Sequence, residues 1–290
     1  MTTRNPARTS VLRPVEYFDQ PATVRREVLV ARPELAGAGM PGGITGEDTG
    51  TGSPPVLLVP GLGHAAWLFS EHWLDQIAAR GFLANAMSLR GHGRSGGAGT
   101  ADLRAYAHDV IQVAASLPRQ AVLVGHGAGA LVVAMAMARY PARAGVLVAP
   151  VFGGIGTAAT LLRHNPIGTL AGLMSTVRLS HRQLFCGELP AASAREYADR
   201  LSGASRRAQW QLLRRHRPEP AVGNPPVLVV GSPDDRIVAA SGLDRVARAY
   251  GGAPLLFPGM GHDMPVDARW WEPIDAICDW LAGLDAEHHG

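Results

Sequence analysis

The chain has 290 residues, of which 47% are hydrophobic and 18% charged; this is enough apolar surface for a large core and excludes a disordered chain. The net charge is +3, and all 27 residues counted as Lys+Arg are arginines. Without a lysine amine, Schiff-base and pyridoxal-phosphate chemistry are excluded.

The densest basic spots, Arg206-Arg207 and Arg214-Arg215, read as solvated helix faces, so no nucleic-acid partner is expected. Two cysteines, Cys186 and Cys278, make no disulfide framework and suit a reducing compartment. The opening residues MTTRNPARTS lack an apolar signal region, and the longest apolar run, Ala128 to Ala138, falls short of the roughly 20 residues that span a bilayer. A cytoplasmic protein with no membrane span is expected, and its oligomeric state is not legible.

In chain order, short strand-like stretches occur around Val15–Phe18 and Val28–Ala31, followed by a Gly/Pro/Thr-rich loop over 33–54. Six apolar runs then follow: Pro55–Val59, Phe82–Leu89, Ala121–Val124, Gly145–Ala149, Pro226–Val230 and Pro254–Phe257. Helical patterns lie between most of them, at about 70–80, 101–116, 128–139, 239–250 and 270–283. Runs apolar on both faces that alternate with helices predict an α/β fold, a mostly parallel sheet covered on both sides. The alternation fails over 151–222, which is helical in character and has no strong strand. An insertion after the C-terminal end of a parallel strand lies over the ligand crevice. The expected organisation is therefore a core of 1–150 and 223–290 with a helical cap at 151–222.

Four motifs carry chemistry. Val122 to Ala130, VLVGHGAGA, is an apolar strand, a glycine-flanked turn and then a helix, the context of the G-x-S-x-G elbow. Gly125 and Gly129 match its glycines, and Gly127 stands at its centre, where the nucleophile is expected; glycine has no atom with which to attack. Pro60-Gly61-Leu62-Gly63-His64 follows a strand, as an oxyanion loop does, and assigns the two backbone donors to Leu62 and Ala128. Gly231-Ser232-Pro233-Asp234-Asp235 offers an acid at a strand tip, with Asp235 preferred and Asp234 the alternative. Gly259-Met260-Gly261-His262 supplies a histidine in a flexible loop after the last strand. No cofactor is expected. No helix carries H-x-x-x-H or H-E-x-x-H, so no metal site is expected either.

From about residue 55 to 283 the chain resembles the α/β-hydrolase superfamily, in particular lysophospholipases and esterases. LRGHGRS (89–95), LVGHGAGA (123–130), VLVVGSPDDRIV (227–238) and ARAYGGAPLLFPGMGHDM (247–264) carry the resemblance, in the order elbow, acid, histidine. It implies Ser-His-Asp hydrolysis of an ester, thioester, lactone or related carbonyl compound, with the acid and histidine carried over onto Asp235 and His262. The serine does not carry over onto Gly127. Ser95, Ser193, Ser205, Cys186 and Cys278 offer no convincing substitute.

Three functions fit this pattern. One is an enzyme using His262 and Asp235 for noncovalent acid–base chemistry: water activation, elimination or cyclisation. Another is a catalytically inactive relative that binds a ligand or partner. The third is a Ser-to-Gly variant of an ordinary serine esterase. The expected ligand is a small, largely apolar molecule, with His64, Trp67, His126 and Phe152 among its contacts.

Overall fold

The computed structural model describes residues 24–33, 53–97, 101–174, 179–217 and 219–289. Val15–Phe18 and most of the 33–54 loop lie outside them.

The seven strands are β1 (Val28–Ala31), β2 (Val56–Val59), β3 (Ala84–Met87), β4 (Val122–His126), β5 (Ala144–Val148), β6 (Val227–Gly231) and β7 (Leu255–Leu256). They form one sheet in the order β1-β3-β2-β4-β5-β6-β7. All neighbours are parallel except β1, which runs antiparallel to β3 with Val28 opposite Met87. Each apolar run expected to be a strand overlaps one, with ends shifted by up to two residues, as in β4, and the last strand is only two residues long. Arg26 and Arg90 both bind the fully buried Asp109, which ties the β1 segment to the body.

The helices are α1 (Trp67–Ser70), α2 (Trp73–Ala79), α3 (Leu103–Ala115), α4 (Ala128–Met137), α5 (Ile155–His164), α6 (Pro166–Met174), α7 (His181–Leu184), α8 (Ala191–Asp199), α9 (Arg206–Gln211), α10 (Ala240–Ala249) and α11 (Trp271–His289). The 70–80 pattern corresponds to α2, and the short α1 precedes it. The last helix continues to His289, beyond its expected end.

Side chains alternate across a strand, so β2 sends Val56 and Leu58 to one face and Leu57 and Val59 to the other. The first face packs on Phe69, Trp73 and Ile77 of α1 and α2 and on Ile274 and Ile277 of α11. The second packs on Tyr106 and Val110 of α3, Leu131 of α4 and Val246 of α10. A fully buried Val or Leu stabilises by about 1.5–3 kcal/mol. α4 is buried almost all round because it lies between the sheet and α3. The N-terminus of α3 is capped by Asp102, whose carboxylate accepts from the Ala105 N–H at 2.9 Å.

Between β5 and β6 the chain leaves the sheet for α5 to α9. Backbone hydrogen bonds tie this long excursion to the core. Ser202 N–H donates to Gly63 O at 2.8 Å, Val222 N–H donates to Met137 O at 2.8 Å, and Asp263 N–H donates to Leu184 O at 2.9 Å.

Candidate active site

The turn from β4 into α4 is held by close backbone contact. A Cβ on Gly125 would stand 2.6 Å from Gly129 O, and one on Gly129 would meet Pro60 O and stand 2.6 Å from Val59 O. Neither position accepts a side chain. Gly127 lies between them at φ 56°, ψ −123°, in a region that L-residues rarely adopt. Its N–H donates to Val148 O at 2.9 Å, and its carbonyl accepts from Val151 N–H at 2.9 Å.

A Cβ built on Gly127 would stand 3.1 Å from His262 Nε2. His262 comes from the loop after β7, and its Nδ1 lies 2.8 Å from Asp235 Oδ2. A carboxylate only accepts, so Nδ1 carries the proton and Nε2 presents its lone pair toward Gly127. Burial opposes a charge on His262, but the charge of Asp235 and its hydrogen bond outweigh burial and raise the pKa. Asp235 is itself fixed, Oδ1 accepting from Ile237 N–H at 2.7 Å and Val238 N–H at 3.0 Å. Asp234, the alternative acid, faces outward and accepts from Gly259 N–H at 2.7 Å. The structure thus separates the two aspartates that the sequence left open.

A cavity of about 730 Å³ opens over this turn, within the usual range for small-molecule sites. Gly61, Leu62, Gly63, His64, His126, Gly127, Ala128, Ile237 and His262 line it from the sheet side. Thr157, Leu161, Arg195, Ser202, Trp210 and Leu213 line it from the segment between β5 and β6. Leu62 and Ala128 both line the cavity, and Ala128 is the first residue of α4, whose N–H has no acceptor within its helix.

His64 and His126 line the cavity but are tightly packed. His64 Nε2 lies 2.9 Å from Asp263 Oδ2, and His126 Nε2 donates to the backbone carbonyl of His262 at 3.0 Å. Burial first, then the nearby His262, lowers the His126 pKa to about 3. Trp67 and Phe152, both expected as ligand contacts, are not among the lining residues. Trp67 stacks on Tyr197, with the Arg200 guanidinium 4.2 Å from its ring centre. Phe152 turns to the opposite face of the sheet and packs with α3 and α4.

Asp263 was not singled out in the sequence, although it adjoins His262. It draws together two histidines that no helical spacing connects, against the expectation that no metal-type cluster exists. Among the described residues, His64, His126 and Asp263 are the group whose ligand atoms all lie within 4.8 Å of one another.

The alpha/beta hydrolase family model matches residues 56–279, most of the chain. The chain belongs to the alpha/beta hydrolase family. Solved structures with the same fold include the monoacylglycerol lipase of Paleococcus ferrophilus, at 20% identity and TM-score 0.65, covering 90% of this chain and 99% of that one. A thermophilic esterase from Thermogutta terrifontis gives 18% identity and TM-score 0.65, with 90% and 94% covered. A bromoperoxidase from Bacillus anthracis gives 14% identity and TM-score 0.67, with 89% and 96% covered. At these identities the likeness establishes the fold of this hydrolase-family chain alone. No curated protein matches the chain. Among the described residues, no helix is long and apolar enough to cross a membrane.

Proposed function

We propose that this α/β-hydrolase-family protein turns over a small, largely apolar ester, lactone or related carbonyl compound without forming an acyl-enzyme. Gly127 occupies the nucleophile's position, and His262 with Asp235 forms the acid–base pair. One observation carries this reading: the point 3.1 Å from His262 Nε2, where a nucleophile's Cβ would stand, belongs to a glycine.

Water in that space can give its proton to His262 Nε2 as its oxygen attacks the substrate carbonyl. Asp235, bonded to Nδ1, stabilises the imidazolium so formed. The N–H groups of Leu62 and Ala128 stabilise the oxyanion, each such donor being worth about 10²–10³ in rate. When the tetrahedral species collapses, His262 returns its proton to the leaving group. The segment 151–222 acts as a cap that supplies most of the cavity's large apolar side chains, among them Leu161, Trp210 and Leu213, beside polar ones such as Arg195 and Asp199. The lipase and esterase named among similar structures support a carbonyl substrate.

The test compares wild type with His262→Ala on panels of esters and lactones. A general base contributes about 10²–10⁴ in rate, so the variant is expected to lose at least about 10²-fold. Equal rates, or no turnover by either protein, overturn the proposal, and the second outcome favours a non-catalytic ligand-binding protein. A fluorophosphonate serine probe is expected to leave the wild type unlabelled; labelling would reveal a nucleophile elsewhere.

A further inference from the structure

The acid–base pair leaves unused a second buried polar group at the same cavity. His64 comes from the loop after β2, His126 from the C-terminal end of β4, and Asp263 from the loop after β7. They are 2%, 0% and 1% exposed. His64 Nε2 is 2.9 Å from Asp263 Oδ2, and His126 Nε2 is 3.6 Å from Asp263 Oδ1.

The second distance exceeds a hydrogen bond, and Asp263 Oδ1 is a buried oxygen without a partner. A carboxylate oxygen left in that state is costly. The groups acting on Asp263 are the imidazoles of His64, His126 and His262; no guanidinium is among them. A buried carboxylate oxygen needs a partner, and these residues supply none for Oδ1.

We propose that His64, His126 and Asp263 bind one divalent transition-metal ion through the two Nε2 atoms and the Asp263 carboxylate. Two imidazoles and one carboxylate suit zinc and its first-row neighbours, whereas magnesium and calcium favour all-oxygen sites. Bonds of about 2.0–2.1 Å in a tetrahedron set ligand atoms about 3.3 Å apart; here the Nε2 atoms of His64 and His126 stand 2.9 and 3.6 Å from Asp263 Oδ2 and Oδ1 respectively, and the ligand atoms of the three residues all lie within 4.8 Å of one another. Coordination at Nε2 moves each imidazole proton to Nδ1, so no net proton is released. It also replaces the His126 hydrogen bond to the His262 carbonyl. Three protein ligands leave a fourth position, as in open zinc sites, and two of the three ligand residues line the cavity.

The test is binding rather than turnover, so its outcome is independent of whether His262 catalyses anything. The full chain, stripped with a chelator, is titrated with zinc by equilibrium dialysis and with cobalt by visible absorption. The expected result is one tight equivalent with a tetrahedral cobalt spectrum. His64→Ala and Asp263→Asn are expected to weaken it by more than about 100-fold, beyond what loss of a merely supporting residue costs. His108→Ala, on the exposed face of α3, and the double variant His288→Ala/His289→Ala are expected to retain it. Far-UV circular dichroism confirms folding, and His64→Gln replaces any ligand variant that does not fold. No saturable equivalent in wild type, or unchanged binding in the His64 variants, overturns the proposal and leaves the cluster a hydrogen-bonded one only.

Discussion

Gly127 holds a conformation that side chains resist, beside a histidine that a side chain would press. Gly127→Ser is expected to lose about 1–3 kcal/mol of stability, as residues held in such dihedrals do, measured by urea unfolding. The same variant is expected to acquire fluorophosphonate labelling, because its hydroxyl would lie within reach of His262 Nε2. Gly127→Ala carries the same strain without the hydroxyl and fills the attacking water's place, so its turnover is expected to fall below wild type while the probe still fails to label it. The two aspartates after β6 make a matching pair. Asp235→Asn is expected to slow turnover by at least about 10², whereas Asp234→Asn, on an exposed side chain bonded to Gly259, should leave the rate near wild type. The sequence favoured Asp235 but left Asp234 as an alternative, and only the structure shows that Asp235 is the one that meets His262. The choice depends on how the turn presents two neighbours, one to backbone N–H groups and the other to solvent. The His64–Asp263 contact was invisible for another reason: it joins residues 199 positions apart, and only the completed sheet brings them together.

The strands were legible because a central parallel strand is apolar on both faces, and PVLLV or AVLV admits few other readings. The turn between β4 and α4 was legible because its outer glycines are steric necessities. Gly129→Ala would drive a Cβ into the Pro60 and Val59 carbonyls. Since rigid backbone rather than a movable side chain opposes it, the loss is expected near or above the upper end of the roughly 1–3 kcal/mol typical of overpacking. Thermal unfolding of Gly129→Ala beside an exposed control, Gly283→Ala, checks this. The helices between β5 and β6 were legible only as a class. Their small residues and scattered arginines mark no sharp ends, and a residue leaving a strand does not declare which face it will join. Phe152 went to the face of α3 and α4, and Trp67 went behind His64 to stack on Tyr197.

In the molecule as a whole, the sheet contributes the polar floor of the cavity and the excursion between β5 and β6 contributes much of its apolar wall. Substitutions in that wall should alter recognition while sparing the chemistry. Leu161→Trp is expected to raise KM for long-chain esters more than for short ones, with kcat little changed, the pattern of lost uniform binding; steady-state kinetics across a chain-length series checks it. The wall and the floor are also mechanically joined. Ser202 grips the carbonyl of Gly63 through both its N–H and, at 3.3 Å, its hydroxyl. Any outward swing of the wall at that point must break this grip or drag the Gly61–His64 loop with it. Admission of a ligand and the aim of the loop's amides are therefore geared together, and a molecule that props the wall open also detunes the floor beneath it.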